Sequence, residues 1–135
     1  MENMNLYLFI SSCLTFLLAI LHSVLGELKI FRYFNNVQGL PVLQGIPLLW
    51  KKPEAAKLTI RMVWHVTTVL ALAIGIILCN YSFIQTLNTT DIYVIKIIGG
   101  SMLVSCLVSL ILTKGSHASW IAFLIIGVLC FVSIF

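Results

Sequence analysis

Four apolar stretches, each about 18–22 residues long, constrain this 135-residue chain more than any other feature. They cover approximately residues 6–25, 58–79, 92–113 and 118–135. At about 1.5 Å per residue, each stretch makes a helix about 27–33 Å long, which matches the hydrocarbon core of a bilayer. Backbone polar groups cannot stay unpaired in lipid, so we expect each stretch to be an α-helix that crosses the membrane.

The composition agrees with lipid as the main solvent of the chain. Hydrophobic residues make up 61% and charged residues 9%, whereas about 25% of the residues of a soluble domain are charged. The predicted fold is therefore an all-α membrane protein, a single-domain antiparallel bundle of four transmembrane helices. The net charge of +4 does not come from a polar basic run, so we expect no nucleic-acid partner.

The basic residues predict the orientation of the bundle. Seven of the eight Lys and Arg residues lie in or beside the first and third connections, and only Lys96 lies near the opposite side. The positive-inside rule then places both connections in the cytoplasm and both termini outside, in a bacterial inner membrane. The long connection 26–57 is expected to lie along the inner membrane surface. No basic residue precedes Lys29, so a cleavable signal peptide is not expected.

All three histidines fall on the predicted inner side. His22 lies near the end of the first helix, His65 near the start of the second, and His117 just before the fourth. His22 and His65 also lie on helical rows of small and polar residues, which should face neighbouring helices because lipid offers polar groups no partner. We therefore expect both imidazoles to point into the bundle at a similar depth.

One interpretation of this arrangement is a cofactor site. His22 and His65 could bind a haem iron axially. Alternatively, a transition metal such as zinc or iron could be held by three imidazoles and one carboxylate, from His22, His65, His117 and Glu27. Glu27 is the weakest of these ligands, because five residues place it about 140° around an α-helix from His22.

Two other interpretations stay open. Histidine titrates near neutrality, so the protein could be a proton- or ion-coupled transport component in which Glu27 and Arg61 modulate the imidazoles. The histidines could instead hydrogen-bond across helix interfaces at about 0.6–2 kcal/mol each, in a structural or assembly subunit of a membrane complex. The sequence carries no recognisable motif for a covalent nucleophile or an acid–base pair, so no enzyme activity is asserted.

Two strings resemble a pattern of small four-span bacterial membrane proteins. They are Leu21-His22-Ser23-Val24-Leu25-Gly26-Glu27 and Arg61-Met62-Val63-Trp64-His65, similar to LHSxLGE followed by RxxWH. The resemblance covers the first two helices and implies no activity. It implies that His22, Glu27, Arg61, Trp64 and His65 belong together as a set, and we expect Ser23 in the same polar cluster. Besides the lipid bilayer, we expect a second copy or a larger membrane complex as partner, because four short helices offer little interior to shield a site.

Overall fold

The computed structural model of the protein describes residues 4–32 and 53–135, and most of these residues are helical. Helix α1 spans Leu6–Leu25 and continues without a break as a π-helix, Gly26–Phe31. The α-helices that follow are α2 at Pro53–Ser82, α3 at Thr89–Thr113 and α4 at Ser119–Val132. The described part of the chain contains no strand, so the all-α prediction is confirmed there.

Three of the predicted spans are long and apolar enough to cross a membrane, by length and composition. They are residues 6–31, residues 57–82 and α3, while α4 is a shorter apolar helix. Helix α2 begins at Pro53 rather than at the expected position 58, since proline suits the first turn of a helix. The predicted connection 26–57 is therefore helical at both ends, and its middle, residues 33–52, lies outside the described residues.

Local sequence signals fix both ends of α3. At its start, the Asn88 side chain accepts a hydrogen bond from the Asp91 N–H and the Asp91 carboxylate accepts one from the Asn88 N–H, at 3.0 and 2.9 Å. This reciprocal capping box satisfies donors that a helix leaves unpaired. At its end, Lys114 and Gly115 adopt positive φ angles of 50° and 76°. Glycine does so without strain, and residues 114–117 form a tight turn here.

The described chain divides into two compact units, residues 1–18 with 71–135, and residues 19–70. The first unit has an apolar core of fully or nearly fully buried side chains: Leu8, Leu78, Ile95, Ile98, Met102, Ile126 and Cys130. Two polar side chains add directional bonds between its helices. The Ser12 hydroxyl donates to the Gly75 carbonyl at 2.8 Å, and the Asn5 amide donates to the Ser133 carbonyl at 2.9 Å.

Helices α3 and α4 approach closely because two glycines face the contact. A Cβ atom built on Gly127 would lie 2.8 Å from Cδ2 of Leu103 and 3.1 Å from the Gly99 carbonyl oxygen. One built on Gly99 would lie 3.0 Å from Cβ of Cys130. Neither position has room for a methyl group, so the two glycines determine how near the helices come.

We predict that Gly127→Ala lowers the free energy of unfolding by about 1–3 kcal/mol, the usual cost of forcing a methyl group into a packed contact. Gly100→Ala is the matched control, because a Cβ atom there meets nothing within 4 Å and alanine favours a helix. Chemical unfolding in detergent micelles measures both variants. Equal effects of the two substitutions would contradict the packing argument.

Candidate functional site

The second unit holds a cluster of four hydrogen-bonded side chains, Ser23, Glu27, Arg61 and His65, here called the His65 cluster. Ser23 and Glu27 are four residues apart where α1 passes into the π-helix, and Arg61 and His65 are four residues apart on α2. Residues at this spacing lie on the same face of a helix. Each helix segment thus carries one polar pair on one face, and the two pairs contact each other.

Glu27 is the centre of the His65 cluster. Its carboxylate accepts two hydrogen bonds from Arg61, from Nε to Oε1 and from Nη2 to Oε2, both at 2.6 Å. This two-pronged geometry fixes the orientation of a carboxylate as well as its charge. The same Oε1 lies 2.7 Å from Nε2 of His65. The side chains of Glu27, Arg61 and His65 remain 32–49% exposed, so the cluster is accessible from outside the protein.

His65 has a partner on each ring nitrogen. Nε2 faces the Glu27 carboxylate, and Nδ1 lies 3.2 Å from the Ser23 hydroxyl. A carboxylate can only accept, so Nε2 carries the hydrogen and donates. In the neutral ring Nδ1 then accepts from the Ser23 hydroxyl, and in the protonated ring it donates to that oxygen. Ser23, His65 and Glu27 thus form a continuous hydrogen-bonded chain.

Trp64 packs the two helix segments together beside this chain. Its indole N–H donates to the His22 carbonyl at 2.9 Å, and its ring stacks on the His22 imidazole with centroids 4.0 Å apart. Phe31 meets the indole edge-on at 5.7 Å. A Cβ atom on Gly26 would lie 2.6 Å from Cε2 of Trp64. Only glycine leaves space for the indole at this position.

The π-helix brings Phe31 to the same contact. In an ordinary α-helix, a residue eight positions after Ser23 would be rotated about 80° from it. The i→i+5 bonds of a π-helix widen the turn, so that Phe31 is buried against Trp64 and lies beneath the Arg61 guanidinium at 5.9 Å. The wider turn therefore aligns Phe31 with the side of the helix that carries Ser23 and Glu27.

The three histidines have different interaction partners in the structure. His22 stacks on Trp64 and its Nε2 lies 3.2 Å from the Thr67 hydroxyl, while His65 faces Ser23 and Glu27. His117 belongs to the first unit, where its Nδ1 lies 2.8 Å from the Ser119 hydroxyl and accepts from the Ser119 N–H at the start of α4.

The described residues do not assemble the predicted metal-ligand group. Across residues 4–32 and 53–135, no three or more His, Cys, Asp or Glu side chains group so that they could hold a metal ion. The set of His22, His65, His117 and Glu27 is accordingly not assembled as a ligand group. Axial binding of haem iron by His65 would require its imidazole to give up either Glu27 or Ser23.

Sequence reasoning missed several contacts of this site. It grouped Ser23 with the cluster but did not pair its hydroxyl with His65, although the Ser23–Glu27 and Arg61–His65 spacings carry that signal. It also did not include Thr67 or Phe31. Thr67 follows Trp64 by three residues and donates to the Trp64 carbonyl at 2.7 Å, a spacing that places both on one face. No signal in the sequence marks the π-helix that positions Phe31.

We predict that Gly26→Ala lowers the free energy of unfolding by about 1–3 kcal/mol, because the added methyl group displaces the Trp64 indole. The double variant Gly26→Ala with Trp64→Leu should lose less than the sum of the two single variants, since the smaller side chain makes room for the methyl group. Unfolding in denaturant measures all three. Additive losses would show that the two residues do not share this contact.

Comparisons with protein families, with curated proteins and with solved structures found no match to this chain, so the function of the site has to be argued from its own geometry.

Proposed function

We propose that the chain is a four-span integral membrane protein of a bacterial plasma membrane, with both termini outside. Three helices of suitable length and composition support this. So do the apolar side chains that these helices expose, such as Val69, Ile111 and Leu112 at 63–78%, for which lipid is the favourable solvent. Helix α4 has 14 residues, or about 21 Å, so its span would include the apolar residues that follow it.

A pair of fusion reporters tests this topology. Alkaline phosphatase fused after Phe135 should be active, because the carboxyl terminus lies outside, and the same reporter fused after Gly115 should be inactive. The positive-inside distribution of Lys and Arg is the physical reason. Green fluorescent protein at the same two sites serves as the reciprocal control. The reverse pattern would overturn the orientation, and activity at both sites would overturn the fourth span.

We further propose that the His65 cluster is the proton-binding site of a proton-coupled membrane component. The observation that carries this proposal is the chain from the Ser23 hydroxyl through His65 to Glu27. An imidazole with a partner on each nitrogen can take up a proton on one side and release one on the other, which is why histidine serves as a proton shuttle in proteins. Arg61 supports this role because its guanidinium holds the Glu27 carboxylate in place and keeps its charge compensated.

A structural or assembly subunit is the second candidate. A specific observation favours it: in the described residues, every buried side-chain nitrogen and oxygen has a hydrogen-bond partner, and the His65 cluster connects two helix segments by three strong bonds. Such a network can hold helices together without moving any proton.

Proton flux into liposomes distinguishes the two candidates. The protein is reconstituted around a pH-sensitive dye, and a pH gradient is applied with the membrane potential clamped. We predict that His65→Gln reduces flux to the level of protein-free liposomes, because glutamine cannot exchange a proton. His117→Gln is the matched control, since it removes an imidazole bound to Ser119 outside the cluster.

Flux that is equal in the His65→Gln variant and the unmodified protein would overturn the proton-binding proposal. Unmodified protein with no flux above protein-free liposomes would overturn it as well. In either case, a His65→Gln variant that also unfolds at lower denaturant concentration would support the structural candidate.

A further inference from the structure

Ser23, His65 and Glu27 have the bonding order of a nucleophilic triad. In such a triad a hydroxyl faces one nitrogen of an imidazole, and a carboxylate faces the other nitrogen and orients the ring. Here the hydroxyl is 3.2 Å from Nδ1 and the carboxylate is 2.7 Å from Nε2. The triad is recognised by geometry and roles rather than by sequence position, and here it lies on a transmembrane helix and its neighbour.

We infer that Ser23 is a nucleophile that accepts an acyl group from the ester of a long-chain fatty acid. The inference rests on the proposed membrane location and on His65 as a proton acceptor, but it does not need proton movement across the bilayer. The two proposals differ in the source of the proton that His65 accepts. In this one, the proton comes from the Ser23 hydroxyl.

The surroundings of the His65 cluster select the substrate class. Apolar side chains on the same helix segments are 44–61% exposed and would contact acyl chains: Leu21, Val24, Leu25, Leu28, Val63 and Val66. Basic residues flank the cluster on both segments, at Lys29 and Arg32 and at Lys57. Basic side chains of this kind extend to the headgroup layer. The His65 cluster lies between these apolar and basic side chains. It is therefore at the boundary of headgroups and acyl chains, the depth at which lipid esters occur.

The reaction is an ester hydrolysis in two steps. In the first, Ser23 Oγ attacks the ester carbonyl carbon and its proton passes to Nδ1 of His65. The carbon–oxygen bond of the ester breaks, the alcohol leaves with the proton from His65, and an acyl-serine remains. In the second, water attacks the acyl-serine with His65 as base, which releases the fatty acid and restores the Ser23 hydroxyl. Glu27 is a positioning residue that holds the imidazole and stabilises its positive charge.

Turnover is expected to be slow. The backbone N–H groups of a helix around Ser23 bond within that helix, so side chains or water must stabilise the tetrahedral oxyanion. A single oxyanion donor contributes about 10²–10³-fold to kcat in enzymes that have one. An acyl-serine should therefore persist long enough to be trapped, and a covalent probe is a more sensitive test than product release.

The experiment uses an alkyl fluorophosphonate with a fluorescent tag on the full-length protein in lipid nanodiscs. Ser23 Oγ forms a bond to phosphorus, fluoride leaves, and the hydroxyl proton passes to His65. We expect labelling of Ser23, located by peptide mass spectrometry, and no labelling of Ser23→Ala. His65→Gln should be labelled at least about 10²-fold more slowly than the unmodified protein, because a positioned base contributes at least this much to the rate. Glu27→Asp should label faster than Glu27→Gln, because only aspartate retains the carboxylate.

The matched control is Ser105→Ala, which removes a hydroxyl that donates to the Ser101 carbonyl of its own helix and should leave labelling unchanged. Intrinsic tryptophan fluorescence and elution volume confirm that each variant is folded. A label on another residue, the absence of label, or equal labelling rates in His65→Gln and the unmodified protein would overturn the inference. Labelling without proton flux supports Ser23 as a nucleophile and contradicts the transport proposal. Proton flux without labelling supports the transport proposal and contradicts the nucleophile.

Discussion

The second unit depends on one carboxylate that two side chains share. Glu27 bonds Arg61 through both oxygens and His65 through one of them, so its position fixes the guanidinium and the imidazole together. A carboxylate with these partners keeps its charge compensated by the guanidinium and the imidazole N–H. Without Glu27, the Arg61 guanidinium would lose its partner, and the His65 ring would lose the acceptor that fixes its orientation. The Ser23–His65 contact follows from that orientation.

The sequence was sufficient to predict the positions of the helices and most of their ends. Hydrophobic runs predicted α1 with its observed α-helical bounds, Leu6–Leu25, and placed α3 to within three residues at its start. At the start of α3, Asp91 carries a charge that is favourable at a helix N-terminus, and it forms a capping box there. These features are local, because each depends on residues a few positions apart. The apolar stretch of α2 begins only at about residue 58, because its first turns are polar, but Pro53-Glu54 carries a helix start signal and the helix begins there.

The sequence predicts most of the residues that form the candidate site, but it does not predict which of them contact each other. The sequence predicts that Glu27, Arg61, Trp64 and His65 lie together; the structure brings Glu27, Arg61 and His65 into contact and packs Trp64 against His22. Sequence reasoning paired His22 with His65 because both lie on polar rows, yet depth and row do not fix which way a ring turns, and His22 stacks on Trp64 instead. It grouped His117 with them by expected depth, while the bond of His117 to Ser119 is formed between near neighbours in the chain. The angular argument that separated Glu27 from His22 agrees with their different partners.

The π-helix makes the site sensitive to chain length as well as to residue identity. Periodicity arguments assume 3.6 residues in every turn, and Gly26–Phe31 departs from that assumption. One residue more or fewer in this segment would change the angle at which Phe31 leaves the helix relative to α1. Ser23 would keep its place, while Phe31 would leave the indole it packs against. In related chains, an unchanged number of residues between Ser23 and Phe31 would thus be a stronger sign of a shared site than the retention of any single side chain.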